Sequence, residues 1–107
     1  MPEIKEVTLD EALKIAKEKG TVMVWLGTEP VEYVRELIGV ERGKLVQGNP
    51  LMIATLSKDE AERFSEHVFI CYHGNTSMRV AKTLLSNYNI NSYSLKGGVT
   101  AIVGEVF

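Results

Sequence analysis

A chain of 107 residues has room for one continuous hydrophobic core without disulfide or metal staples. Apolar residues make up 45% and charged residues 24%, the mixture of an ordinary globular domain. A net charge of −2 supplies no basic field for nucleic acid or an anionic membrane, so any anion bound here is drawn by a local site.

Thr8-Leu9-Asp10-Glu11 is spaced as a capping box. Leu9, Ala12, Leu13 and Ala16 then repeat at helical spacing, and Lys19-Gly20 supplies a stop. Thr21–Leu26 is apolar on both faces, as a central strand of a covered parallel sheet requires. Gly27-Thr28 turns the chain, with Thr28 as the expected cap of a helix carrying Pro30 in its first turn and Val34, Leu37 and Ile38 inward. The segment 39–50 is expected to be a loop with a short strand near Leu45-Val46, and Leu51-Met52-Ile53-Ala54 a further strand.

Ser57-Lys58-Asp59-Glu60 repeats the capping box and opens a short helix with Ala61 and Phe64 inward. Val68–Cys71 is an uninterrupted apolar run without helical spacing, hence a strand. A polar loop leads into a helix from about Ser77 to Ser86, with Val80, Ala81, Leu84 and Leu85 on one face and Asn87-Tyr88-Asn89 as a left-handed stop. Ser92–Leu95 is the last strand, and Val99–Val103 a short closing helix. Strands alternating with helices imply a three-layer α/β/α domain over residues 1–107, with a mainly parallel sheet of about five strands. Ligands of such sheets sit beyond the carboxyl ends of the strands, where Cys71 stands.

Cys71 is the single cysteine, which rules out an internal disulfide and a Cys-x-x-Cys metal site. His67 and His73 lack the partners of a zinc site, so no metal and no cofactor are expected. Met1-Pro2-Glu3-Ile4-Lys5 has no apolar leader region, and no apolar run reaches membrane-spanning length. A lone thiol suits a reducing cytoplasm.

By identity alone a lone cysteine is an inert core filler. Its context points elsewhere. A loop closing onto a helix N-terminus turns unpaired N–H groups inward, with about half a positive charge behind them. That is an anion site, and a thiol inside it is pushed toward thiolate. Gly74 is either an ordinary turn glycine or a point of close backbone approach. Asn75, Thr76 and Ser77 can cap the helix or hydrogen-bond an oxyanion. His73 is either a solvent-facing loop residue or an imidazolium supporting the thiolate, and Arg79 and Lys82 are either solvated charges or attractors of an anionic donor.

Cys71-Tyr72-His73-Gly74-Asn75-Thr76-Ser77 resembles the active-site loop of rhodanese-type sulfurtransferases, a Cys-x-x-Gly-x-x-Ser cradle between strand and helix. Ser92-Tyr93-Ser94-Leu95-Lys96-Gly97-Gly98-Val99-Thr100-Ala101 is similar to that family's last strand and Gly-Gly turn. Glu29-Pro30-Val31-Glu32-Tyr33 matches a Glu-Pro-x-Glu-Tyr-like segment of the family, but Leu26-Gly27-Thr28 lacks the Asp-x-Arg pair that usually precedes it. The Gly-His-Ile stretch that usually follows is also missing, and Ile102 stands where an aromatic is frequent. The resemblance implies a Cys71 nucleophile that carries sulfane sulfur as a persulfide, cradled by the backbone of residues 72–77, with the Thr76 and Ser77 side chains orienting it. The implied partners are a small anionic sulfur donor such as thiosulfate and a thiol, cyanide or carrier protein as acceptor. Two other functions compete. A cysteine phosphatase or arsenate reductase needs an arginine at the end of the loop, where Ser77 stands. A non-catalytic binding module of the same fold fits the missing Asp-x-Arg pair.

Overall fold

The computed structural model of the protein describes residues 4–105. The reading of Met1–Glu3 as free of an apolar leader, and the outermost residues of the expected domain, lie outside these. Among the described residues five strands form one sheet: β1 (Lys5–Val7), β2 (Met23–Trp25), β3 (Leu45–Gln47), β4 (Val68–Ile70) and β5 (Tyr93–Leu95). Their order is β1-β5-β4-β2-β3, and every pairing is parallel. Between and after them run α1 (Leu9–Lys19), α2 (Val31–Ile38), α3 (Pro50–Ile53), α4 (Lys58–Glu62), α5 (Asn75–Tyr88) and α6 (Thr100–Val103).

Successive strand residues point to opposite faces, and the two faces carry separate cores. Met23, Trp25, Val68 and Ile70 pack with Ala12 of α1 and Val31, Val34 and Ile38 of α2. Val24, Leu26, Phe69 and Cys71 pack with Ile53 of α3, Ala61 of α4 and Val80 and Leu84 of α5. The result is an α/β/α sandwich with Cys71 on the α5 face. Both capping boxes form: Thr8 with Glu11 opens α1, and Ser57 with Glu60 opens α4. Gly20 and Asn89 end α1 and α5 in the left-handed conformation, Asn89 at φ 56°.

Two expectations need correction. Leu51–Ala54 is no strand; the run falls in α3, because the Asn49 side chain accepts the Leu51 N–H and Pro50 takes the first helical position. Of its large apolar side chains only Ile53 is buried, with Leu51 81% and Met52 63% exposed. The fifth strand is β1 instead, whose charged Lys5 and Glu6 face solvent and hide it from an apolar pattern. Thr28 does not cap α2, which starts after Pro30 with no side-chain cap; its N–H and hydroxyl meet Tyr72 instead. The strand near Leu45-Val46 is present as β3.

Candidate active site

Three loops gather at the carboxyl edge of the sheet: residues 26–30 after β2, 71–74 after β4, and 96–99 after β5. The middle one carries Cys71, and its neighbours clamp it from both sides. On one side the Tyr72 hydroxyl accepts the N–H of Thr28 at 2.9 Å and of Glu29 at 3.3 Å, and lies 3.0 Å from Thr28 Oγ1. The Tyr72 ring stands edge-on to Trp25 at 5.0 Å between centroids, while Trp25 Nε1 donates to Glu29 O. On the other side the N–H groups of Val99 and Thr100 donate to the carbonyls of Cys71 and Tyr72 at 2.9 and 3.1 Å. Gly98, at φ +66°, lies directly against those carbonyls, where no Cβ fits.

Within this clamp the sulfur is almost enclosed, Cys71 being 4% exposed. Cys71 Sγ accepts the Gly74 N–H at 3.1 Å and the Ser77 N–H at 3.4 Å, and Ser77 Oγ stands 3.4 Å from it. Gly74 makes this possible at φ 95°, a conformation that turns its amide inward and that a β-carbon would strain. The N–H groups of Asn75 and Thr76, also at the helix mouth, meet no acceptor among the described residues. The first turns of α1, α2 and α4 carry acidic side chains, and α4 and α1 have side-chain caps as well. The first turn of α5 has neither. Its dipole is thus uncompensated at the sulfur, an arrangement able to hold an anion.

The sequence-predicted residues divide sharply. Gly74 and Ser77 are brought to the sulfur. Tyr72 is turned away, into the brace with Thr28 and Glu29. His73 is exposed and pairs with Glu105 at 3.3 Å, so it does not stand beside the Cys71 sulfur. The Asn75 side chain is exposed, and neither it nor Thr76 caps α5, whose N-cap is Gly74. Thr76 makes no bond to sulfur; with Arg79, Val80 and Thr83 it lines a groove against Pro50, Leu51, Ile53 and Ala54 of the α3 region. His67 bonds Ser65 O within its own turn.

Two contributors were not singled out from sequence. Ser94 of β5, fully buried, has its hydroxyl 2.6 Å from Ser77 Oγ; its one signal was a serine between Tyr93 and Leu95 in a buried strand. Gln47, at the end of β3, donates its side-chain amide to Gly27 O and Gly48 O at 3.1 and 3.0 Å. Gln47 and Tyr72 thus brace residues 27–29 with neutral hydrogen bonds where an Asp-x-Arg pair is absent. Among the described residues no three His, Cys, Asp or Glu side chains converge to hold a metal, and no helix is long and apolar enough to cross a membrane.

No family model matches this chain, and no curated protein matches it in sequence. Its fold does match solved structures. A protein from Staphylococcus saprophyticus subsp. saprophyticus superposes with a TM-score of 0.58 at 14% identity, over 96% of this chain and 97% of its own. A rhodanese-related protein from Thermoplasma volcanium gives 0.52 at 20% identity, over 96% of this chain and 94% of its own. The human single-domain sulfurtransferase TSTD1 gives 0.55 at 13% identity, over 87% of this chain and 89% of its own. The chain therefore has a rhodanese-like fold, an all-parallel five-stranded sheet covered by helices on both faces.

Proposed function

We propose that residues 1–107 form one catalytic domain, a sulfurtransferase that carries sulfane sulfur on Cys71. The observation that carries this reading is the sulfur itself, held at the mouth of α5 by the amides of Gly74 and Ser77, with those of Asn75 and Thr76 still open. Two donors aimed at a sulfur favour negative charge on it, and a thiolate is the nucleophile. The thiolate attacks the outer sulfur of a donor such as thiosulfate. The donor's S–S bond breaks, sulfite leaves with the bonding pair, and Cys71 holds the transferred atom as an anionic persulfide. A nucleophilic acceptor then takes that atom, and the Cys71 thiolate returns. The steps need no external oxidant or reductant. The open amides are suited to the second sulfur, whose charge they meet in a site largely closed to water.

A small anion as donor and a thiol, cyanide or carrier protein as acceptor fit this chemistry, and an unpaired thiol fits a reducing cytoplasm. The phosphatase reading loses ground, because Ser77 occupies the end of the loop and Arg79 lines the outer groove. The 4% exposure of Cys71 favours a second reading, a non-catalytic module of the same fold. Thiocyanate production from thiosulfate and cyanide separates them. Turnover is expected in the intact protein and its loss in Cys71→Ser; an undiminished rate in that variant would falsify the assignment.

A further inference from the structure

Resting on the reading of Cys71 as nucleophile, we infer that Ser94 is a positioning residue that sets the proton direction of the Ser77 hydroxyl and so delivers it to the sulfur. Ser94 Oγ is fully buried on β5, and Ser77 Oγ at 2.6 Å is its hydrogen-bond partner among the described residues. Either oxygen could donate across that contact. If Ser77 donated, the Ser94 proton would lie buried without an acceptor, at a cost of roughly 1–3 kcal/mol. Ser94 is therefore the donor and Ser77 Oγ the acceptor.

That assignment frees the single proton of Ser77, with Gly74 O as its acceptor at 3.3 Å and Cys71 Sγ lying 3.4 Å from Ser77 Oγ. While Cys71 is a thiol, its S–H donates to the second lone pair of Ser77 Oγ, and Ser77 donates to Gly74 O. Once the Cys71 proton has left to solvent, the Ser77 hydroxyl rotates onto the sulfur and gives it a third donor beside the two amides. Throughout, Ser94 holds Ser77 Oγ in place and, by donating to it, strengthens the bond that Ser77 makes. The backbone amides are fixed and serve both states; the Ser94–Ser77 pair alone among these donors switches with the charge on sulfur. Ser94 touches neither the sulfur nor a reacting atom, so its effect runs through Ser77.

The test is the ultraviolet absorbance of the Cys71 thiolate followed against pH, with Cys71→Ser as the blank for tyrosine ionisation. In Ser94→Ala the midpoint moves to higher pH. At a fixed pH below it, the thiolate fraction falls about two- to tenfold, the span of one ordinary hydrogen bond. Ser77→Ala falls at least as far, and Ser77→Ala/Ser94→Ala falls no further than Ser77→Ala, since a residue acting through Ser77 has nothing left to act on. An unchanged profile in either single variant overturns the inference, as does a Ser94→Ala effect that survives undiminished in the Ser77→Ala background. A thiolate signal in the wild-type protein with Ser94→Ala unchanged overturns the relay alone. Absence of any signal above the Cys71→Ser blank overturns the nucleophile reading together with it.

Discussion

Gly98→Ala is the substitution that separates the clamp from the rest of the fold. Gly98 and Gly20 share a φ of +66°, but a Cβ at Gly20 meets nothing within 4 Å. At Gly98 it would sit 2.5 Å from the Cys71 carbonyl oxygen and from the Tyr72 carbonyl carbon, and against the Tyr72 oxygen as well. That is about 1 Å short of ordinary contact. Both sites share the left-handed penalty of about 1 kcal/mol. Only at Gly98 must the turn also retreat from the carbonyls that Val99 and Thr100 hold at 2.9 and 3.1 Å. Losing those two bonds adds about 2 kcal/mol, so Gly98→Ala is expected to cost about 3 kcal/mol against about 1 for Gly20→Ala. For a domain of this size the difference is roughly 8–16 °C in melting temperature. Thermal unfolding of the two variants side by side reads it directly, and sulfur transfer should suffer only in Gly98→Ala. Equal melting temperatures would refute the reasoning, because φ is shared and only at Gly98 does the added Cβ meet backbone carbonyls.

Tyr72→Phe removes the acceptor for the Thr28 and Glu29 amides; because these lie near solvent, urea unfolding should show a loss of about 1 kcal/mol, and an unshifted midpoint counts against the brace. The Glu60 carboxyl is held below its ordinary range by the Ser57 backbone N–H and then by the Ser57 side chain. Its stabilisation is therefore complete above the unfolded carboxylate range and fades as pH falls through its lowered folded value. The melting advantage of wild type over Glu60→Ala should shrink in acid, and an advantage constant across that range refutes the sign. Tyr93 is pushed up to about 12, first by its hydrogen bond to Glu66, then by burial and the Glu66 charge. A raised value means that stability is whole below the unfolded tyrosine value of about 10 and is lost as pH rises through the folded one. The gap between wild type and Tyr93→Phe should close over that alkaline window; a gap that widens there contradicts it.

What the chain reveals in advance tracks how local each determinant is. The strands β2 and β4 were legible because both of their faces are buried, which forces an unbroken apolar run. The capping boxes of α1 and α4 were legible because Thr8 with Glu11, and Ser57 with Glu60, answer each other three residues apart. The α3 segment failed on the same logic: its apolar residues suggested burial, while Asn49-Pro50 set the backbone and left Leu51 and Met52 outside. In the candidate site, Cys71, Gly74 and Ser77 lie within seven residues and declare a loop–helix cradle in sequence. The Tyr72 hydroxyl and Ser94 do not, since their roles depend on partners 44 and 17 residues away. Sheet order decides those meetings: β5 lies beside β4 and β2 on its other side, a placement set by packing across the whole sheet.

The second sulfur proposed on Cys71 is an atom that intact mass spectrometry measures directly after exposure to thiosulfate. The protein is expected to gain the mass of one sulfur, to lose it on adding cyanide with release of thiocyanate, and to show neither change as Cys71→Ser. An intact protein whose mass stays fixed through both additions, or a gain that persists without the Cys71 thiol, contradicts the account.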